Sequence, residues 1–519
     1  MSNKWLKDAV FYEIYPQSFY DTNADGIGDF NGIIEKLDYI KSLGCNALWI
    51  NPCYDSPFRD AGYDVCDYKK VAPRYGTNND LYRLFDEAHK KGIHVLLDLV
   101  PGHTSEEHEW FRKSQSADQP NEFSNRYIWT DGWFAGCNRL PYIAGEAERP
   151  ATYIINFFKC QPALNYGFLK PEEPWQLPMD HPDAIATREA LKDVMRFWLD
   201  HGCDGFRVDM ASSLVKYDDE KKSGTSAIWR NVREMLDAEY PDAVMVSEWS
   251  DPPLALRAGY DMDFYLNHNG GGYASLLRDY DRIIGRNADS DNSYFHRDAK
   301  DRDINRFLRE YLPWYQDTKD IGYISMLTCN HDTPRPRFTL TPEELKLAYA
   351  FIFTMPGVPF LYYGDEIGMR YLNLPTKEGG YFRTGSRSPM QWDNTRNLGF
   401  SQGCADTLYL PVDPADDAPT VAAQEADPHS LLNTVRAILR LRHAEPDLQA
   451  DGAFEPLCNR KGDPFVYRRG SMILAVNPSG DTLSVQVPVA GMKPVFTLGE
   501  ARVEGSVLHM AGQSFIALK

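Results

Sequence analysis

No stretch of this chain approaches the roughly 20 consecutive apolar residues that a membrane span requires. Its first residues, MSNKWLKDAVFYEIYPQ, hold no apolar run ahead of a small-residue cleavage site, which leads to the expectation of a cytoplasmic protein. Net positive charge is also missing. Seventy-four acidic against 55 basic residues leave −19 at pH 7, a field that repels nucleic acid and anionic lipid alike. The expected partner is therefore a small neutral molecule, with no nucleic acid and no membrane, and the chain is expected to act as a monomer or homodimer. The nine cysteines form no CxxC pair and no zinc-ligand spacing. They argue against a disulfide framework and read as buried free thiols of a reducing compartment. No internal repeat is present, and the one biased segment, acidic and rich in Ala and Pro over 411–428, reads as a loop.

What the chain does have is alternation. Short apolar runs stand at 9–19, 45–52, 93–103, 205–210, 244–249, 262–268, 324–332 and 359–366, and amphipathic helix patterns such as 32–44, 80–92, 188–202, 228–241 and 342–355 fall between them. Eight strands apolar on both faces, alternating with helices, predict an α/β fold: a closed parallel (β/α)8 TIM barrel over 1–103 and 164–447. The aromatic, Gly- and Pro-bearing segment 104–163 breaks the rhythm and predicts an inserted subdomain after strand 3. In it, Trp129 and Trp133 are expected to pack the subdomain rather than stack on a ligand. Alternating patterns after the helix at 430–446 predict a C-terminal antiparallel β-sandwich domain over 448–519.

Barrels carry their chemistry at the C-terminal ends of the strands, and the polar residues gather there. Asp98 and His103 follow strand three, Arg207 and Asp209 end strand four, Glu248 ends strand five, and His331 and Asp332 end strand seven. Asp209 and Glu248 on adjacent strands suit cleavage of a glycosidic bond. One carboxyl attacks the anomeric carbon and the other protonates the leaving oxygen, at the separation of about 5 Å expected of a retaining mechanism. Arg207, two residues before Asp209, faces the same side and is expected to hold the nucleophile ionised. Far upstream, DTNADGIGDF sets the oxygens of Asp21, Asn23, Asp25, the Ile27 carbonyl and Asp29 at positions one, three, five, seven and nine of a loop. That spacing either cages a cation or caps a turn. It is not an EF-hand, because Gly32 stands where the bidentate glutamate belongs.

In order along the chain, DLVPGH (98–103), QPALN (161–165), GFRVDM (205–210), SEW (247–249), CNHD (329–332) and GVPFLYYGDEIGM (357–369) resemble the motifs of the α-amylase family of glycoside hydrolases, glycoside hydrolase family 13. The resemblance implies Asp209 as nucleophile, Glu248 as general acid/base and Asp332 as the third carboxylate. It implies Tyr63, His103, Arg207 and His331 around the sugar being cleaved. Physically, a tyrosine offers a platform to the sugar's C–H face, and histidines donate to its hydroxyls.

The stretches at 15–33 and 388–401 are similar to the α-glucosidase and oligo-1,6-glucosidase branch. That branch implies a structural cation on the 21–29 loop, Ca2+ first and Mg2+ second, and no organic cofactor. It also implies Asp60 and Arg387 as a pair that grips the outer hydroxyls of a terminal glucose. Gly102 and Ala163 stand where the family's amylases have metal-associated Asn and Asp, which argues against a second calcium and an endo-acting amylase. Met210 matches neither linkage signature.

The expected activity is thus a retaining exo-acting α-glucosidase on short malto- or isomalto-oligosaccharides. A transferase or isomerase using the same intermediate, acting on sucrose or trehalose, is the runner-up, and a non-catalytic binding protein the reading from another class.

Overall fold

A computed structural model of the 519-residue chain describes residues 4–134, 137, 139–266, 271–278 and 292–519. Eight parallel strands form one sheet: β1 (Phe11–Ile14), β2 (Ala47–Ile50), β3 (His94–Leu99), β4 (Gly205–Val208), β5 (Val244–Ser247), β6 (Met262–Phe264), β7 (Tyr323–Ser325) and β8 (Phe360–Tyr362). β1 pairs with both β2 and β8, and the bridge between Leu327 and Phe360 joins the β7 and β8 ends, so the barrel closes. Seven lie inside the runs expected from sequence and β7 begins one residue before its run, while β6 ends at Phe264, and Asn267 and His268 lie outside the described residues.

Period-two alternation sorts each strand. Phe11, Trp49, Leu96, Val246, Phe264 and Phe360 form a core within the barrel, while Tyr12, Leu48, Leu97, Phe206 and Met245 face the surrounding helices. Gly205 stands opposite Leu96 on β3. A Cβ there would lie 2.0 Å from the Val244 carbonyl oxygen, so the β4–β5 approach requires glycine.

The helices start where their caps dictate. Thr77 and Asp80 form a capping box on Asn78–Lys90, and Thr341 and Glu344 form another on Pro342–Thr354.

Within 104–163, the strands Tyr142–Ile143 and Tyr153–Ile154 pair antiparallel. Trp129 is buried there against Phe111 and Tyr153, as expected. Trp133, by contrast, is 52% exposed and does not pack the subdomain core. At the C-terminus a five-stranded and a three-stranded antiparallel sheet share a core that includes Val466, Ile473, Val485, Leu508 and Ile516. Among the described residues no helix is long and apolar enough to cross a membrane.

Candidate active site

Two residues beyond the inward apolar layer, the same face of the strands turns polar. Glu13 follows Phe11, Asn51 follows Trp49, Asp98 follows Leu96 and Glu248 follows Val246, and Arg207 pairs in register with Asp98. Through Glu248 this layer meets a cavity of about 300 Å³, at the small end of ligand pockets. Asp60, Tyr63, His103, Asp209, Glu248 and Asp332 all line it, with Met210 and Arg383.

At the centre, one buried guanidinium meets three carboxylates. Arg207 lies 2.9 Å from Asp98, 3.1 Å from Asp209 and 2.8 Å from Glu248. A single cation cannot balance three anions at such distances in a low-dielectric floor. Burial, and then the Glu248 charge, push the Asp209 carboxyl well above its usual range despite Arg207. Burial likewise pushes Asp98 up to about 6. Arg207 acts in the expected direction, towards an ionised Asp209, but burial and Glu248 outweigh it, and the cluster favours keeping a proton within it. Retaining hydrolysis needs one proton on the acid and none on the nucleophile.

The backbone after each carboxylate is shaped to serve it. Met210 takes left-handed φ 42° and ψ 42°, a costly conformation for a bulky residue. Its N–H thereby donates to Glu248 Oε2 at 3.0 Å. Beyond Glu248, the N–H groups of Trp249, Ser250 and Asp251 donate to the buried Asp263 carboxylate at 3.2, 3.3 and 2.8 Å. Burial pushes Asp263 up to about 7.

Asp332 is the opposite case. Burial alone would raise its carboxyl, but the guanidiniums of Arg387 at 2.8 Å and Arg383 at 3.1 Å hold it below the usual range. Arg383 Nη2 also lies 3.6 Å from Asp60 Oδ1, which makes Arg383 the side chain joining the two acids across the cavity. Of the two residues expected together to grip a terminal glucose, Asp60 lines the cavity, whereas Arg387 is buried behind Asp332 and also donates to the His331 carbonyl at 2.9 Å. Asp60 Oδ2 accepts from Gln161 at 2.7 Å, while the buried Oδ1 has no hydrogen-bond partner. Burial pushes Asp60 up to about 7.

The two histidines are already bonded. His103 Nε2–H donates to the Tyr63 carbonyl at 3.1 Å and Nδ1 accepts from Asn156 at 3.1 Å. His331 contacts Glu13 and Asn51 through Nδ1, at 2.8 and 3.0 Å, and the Tyr63 hydroxyl through Nε2 at 2.7 Å. Burial pushes His103 down to about 3 and keeps His331 neutral. To donate to a sugar, either ring must give up a bond it now makes.

The loop carrying Asp21, Asn23, Asp25, Ile27 and Asp29 lines no part of this cavity. Asp21 accepts from the N–H groups of Asn23, Ala24 and Gly26 and from Ser401 Oγ. Asn23 Oδ1 accepts from Asp25 N and Asp25 Oδ1 from Ile27 N, while Asp29 accepts from Thr22 and caps the helix Phe30–Glu35 through Gly32 N. Among the described residues, no group of three His, Cys, Asp or Glu side chains comes together to hold a metal. The charges nevertheless fit one. Asp21 and Asp29 are buried, and their partners in the loop are backbone N–H groups and hydroxyls rather than a Lys or Arg. A cation here would be held by the three carboxylates, Asn23 and the Ile27 carbonyl.

Arg383, Asn156, Asp263 and Glu13 are the site residues that sequence reading missed. Arg383 sits in the loop before Arg387, where no periodicity marks it, and Asp263 and Glu13 read as ordinary members of strands.

A family profile described as the catalytic domain of alpha amylase matches residues 13–451. Trehalose synthase/amylase of Mycolicibacterium smegmatis is 34% identical over 520 residues, covering 90% of this chain and 80% of that protein. Oligo-1,6-glucosidase of Heyndrickxia coagulans is 31% identical over 551 residues, covering 93% and 94%. The crystal structure of trehalulose synthase from Pseudomonas mesoacidophila MX-45 superposes with a TM-score of 0.80 at 27% identity and covers 100% of both chains.

Proposed function

The chain belongs to the alpha-amylase family, and from that premise we propose that it is a retaining, exo-acting α-glucosidase that releases terminal glucose from short malto- or isomalto-oligosaccharides. Asp209 is the nucleophile: one carboxylate oxygen attacks the anomeric carbon as the glycosidic C–O bond breaks, and Glu248 gives its proton to the departing oxygen. Glu248 then takes a proton from water, whose oxygen cleaves the glycosyl ester and leaves glucose with its α configuration. Asp332, held ionised by two guanidiniums, supports the positive charge that develops on the sugar ring.

The observation that carries the reading is that Asp209 and Glu248, both lining a small cavity, share contact with the buried Arg207. Exo action is supported by Arg383 bridging Asp60 and Asp332 across that cavity, with Asp60 Oδ1 making no hydrogen bond within the protein. Placement in the cytoplasm is supported by nine cysteines that are all free thiols, and a structural Ca2+ on the 21–29 loop by its two buried carboxylates.

A second reading, transfer of the glucosyl unit to another sugar, draws on the relatives named trehalose synthase/amylase and trehalulose synthase. The test is to incubate the protein separately with maltotriose, isomaltotriose, sucrose and trehalose and follow early products by proton NMR. Release of α-glucose from a trisaccharide is expected. A new disaccharide formed without free glucose would move the assignment to the isomerase.

A further inference from the structure

Residue 102, directly before His103, is glycine, and the space a side chain would take there is filled from elsewhere. A Cβ on Gly102 would lie 2.7 Å from Asn156 Nδ2. Asn156 comes from the inserted segment, two residues after its strand Tyr153–Ile154, and both ends of its amide are used. Nδ2 donates to His103 Nδ1 at 3.1 Å and contacts Met210 Sδ at 3.7 Å, while Oδ1 accepts from Lys216 Nζ at 3.1 Å. Lys216 also donates to the Ser213 carbonyl at 2.9 Å, and Ser213 Oγ donates to the Met210 carbonyl at 2.9 Å.

The direction of this chain of bonds is settled by its first member. An ammonium only donates, so the Asn156 oxygen faces Lys216 and the amide N–H faces His103. His103 must then accept at Nδ1 and carry its proton on Nε2, the nitrogen that meets the Tyr63 carbonyl. The same ammonium ties down the turn of Met210 and Ser213, whose first residue aims an N–H at Glu248. Keeping this ammonium here is costly: burial, with help from Lys222, pushes its pKa down to about 8. A packing role alone is met by an uncharged side chain.

We propose that Lys216 and Asn156 are a positioning pair, which orients His103 and pins the Met210–Ser213 turn beside Asp209 in place of any side chain at position 102. The inference rests on the glucosidase reading, since it assigns the pair to the subsite of the sugar being cleaved.

The test compares wild type with Asn156→Asp, Lys216→Met, Lys216→Arg and the Asn156→Asp/Lys216→Met double variant. It measures kcat and KM on p-nitrophenyl α-glucoside, calorimetric affinity for 1-deoxynojirimycin, and the thermal midpoint. Asn156→Asp is isosteric and still accepts from Lys216, but it puts an acceptor against an acceptor at His103 Nδ1. It is expected to lower kcat/KM by roughly 10- to 100-fold, mainly through kcat, because small misplacements of reacting groups cost about that much. Lys216→Met is expected to lose a similar factor, Lys216→Arg to regain most of it, and the double variant to be no worse than about either single one, as coupled residues are. The iminosugar is expected to bind more weakly to Asn156→Asp and Lys216→Met.

Activity and iminosugar affinity within about twofold of wild type in Asn156→Asp overturn the pair, and so does an additive double variant. If Lys216→Met lowers the melting midpoint sharply, Asn156→Asp and Lys216→Arg decide alone. Wild type that turns over p-nitrophenyl α-glucoside separates failure of the pair from failure of the glucosidase reading. Wild type that neither hydrolyses it nor binds the iminosugar overturns both.

Discussion

Arg207 is the residue on which the chemistry turns, because its one positive charge is divided among Asp98, Asp209 and Glu248. At about 3 Å and an effective dielectric near 20, each charge pair is worth roughly 5 kcal/mol, so adding or removing one carboxylate changes the protonation of the others. The acid limb of activity follows from this with a definite sign. With Asp209 as the proposed nucleophile, hydrolysis needs it ionised, so the rate is expected to be lost as pH falls through its raised pKa. Replacing Glu248 with Gln removes the second largest cause of that rise and leaves the largest, burial. With 2,4-dinitrophenyl α-glucoside, whose leaving group needs no acid, the limb of the glycosylation step is expected to move to lower pH without reaching the ordinary carboxylate range. A limb that stays put would show that Glu248 does not raise Asp209. Arg207 and Asp209 were legible in sequence because residues two apart on a strand share a face. Arg383 and Asn156 were not, because each stands in a short connecting segment outside the barrel strands whose path no local pattern encodes.

Among the elements, the 21–29 loop shows how one pattern serves two descriptions. Side-chain oxygens at alternate positions cap successive backbone N–H groups, and the same spacing is what a cation loop uses. Under the proposed Ca2+ reading, a cation would balance the charge on the two buried carboxylates. Dialysis against a chelator is expected to lower the thermal midpoint by roughly 5 °C, the size of effect a tightly held ion lends a folded state, and added Ca2+ is expected to restore it. An unchanged midpoint would leave the loop as a self-capped turn. The barrel strands were more legible than this loop. Eight apolar runs bounded by helical patterns leave few topologies, since parallel strands linked by helices close in one hand. What the runs did not reveal is where each strand stops, which is set by pairing with its neighbours.

For the whole molecule, the C-terminal end of the helix Pro342–Thr354, where barrel and C-terminal sheet approach, is gripped by two buried arginines that no motif announced. Arg442, on the helix Leu431–Ala444, donates to the carbonyls of Phe353, Met355 and Gly357 at 2.9, 3.0 and 2.6 Å. Arg469, from the C-terminal sheet, donates to those of Thr354 and Gln449. Both serve the end of the helix Pro342–Thr354, where unpaired carbonyls and the helix dipole favour positive charge. Burial pushes Arg442 down to about 9, which measures the desolvation these bonds offset. Arg442→Met removes three charge-assisted bonds and is expected to cost about 3–5 kcal/mol of stability. The denaturant midpoint should fall while kcat of the folded fraction is unchanged. A midpoint equal to wild type would mean that this helix end does not depend on the side chain.

The sequence by itself determined the alternation of strands and helices, the family, and the acids at the strand ends, because periodicity and short motifs are local properties of the chain. The tertiary structure alone decided which groups share a proton, which guanidinium meets which carboxylate, and how Asn156 fills the space beside Gly102. Those depend on distance and burial, and both arise only when segments far apart in the chain are packed into one low-dielectric cavity.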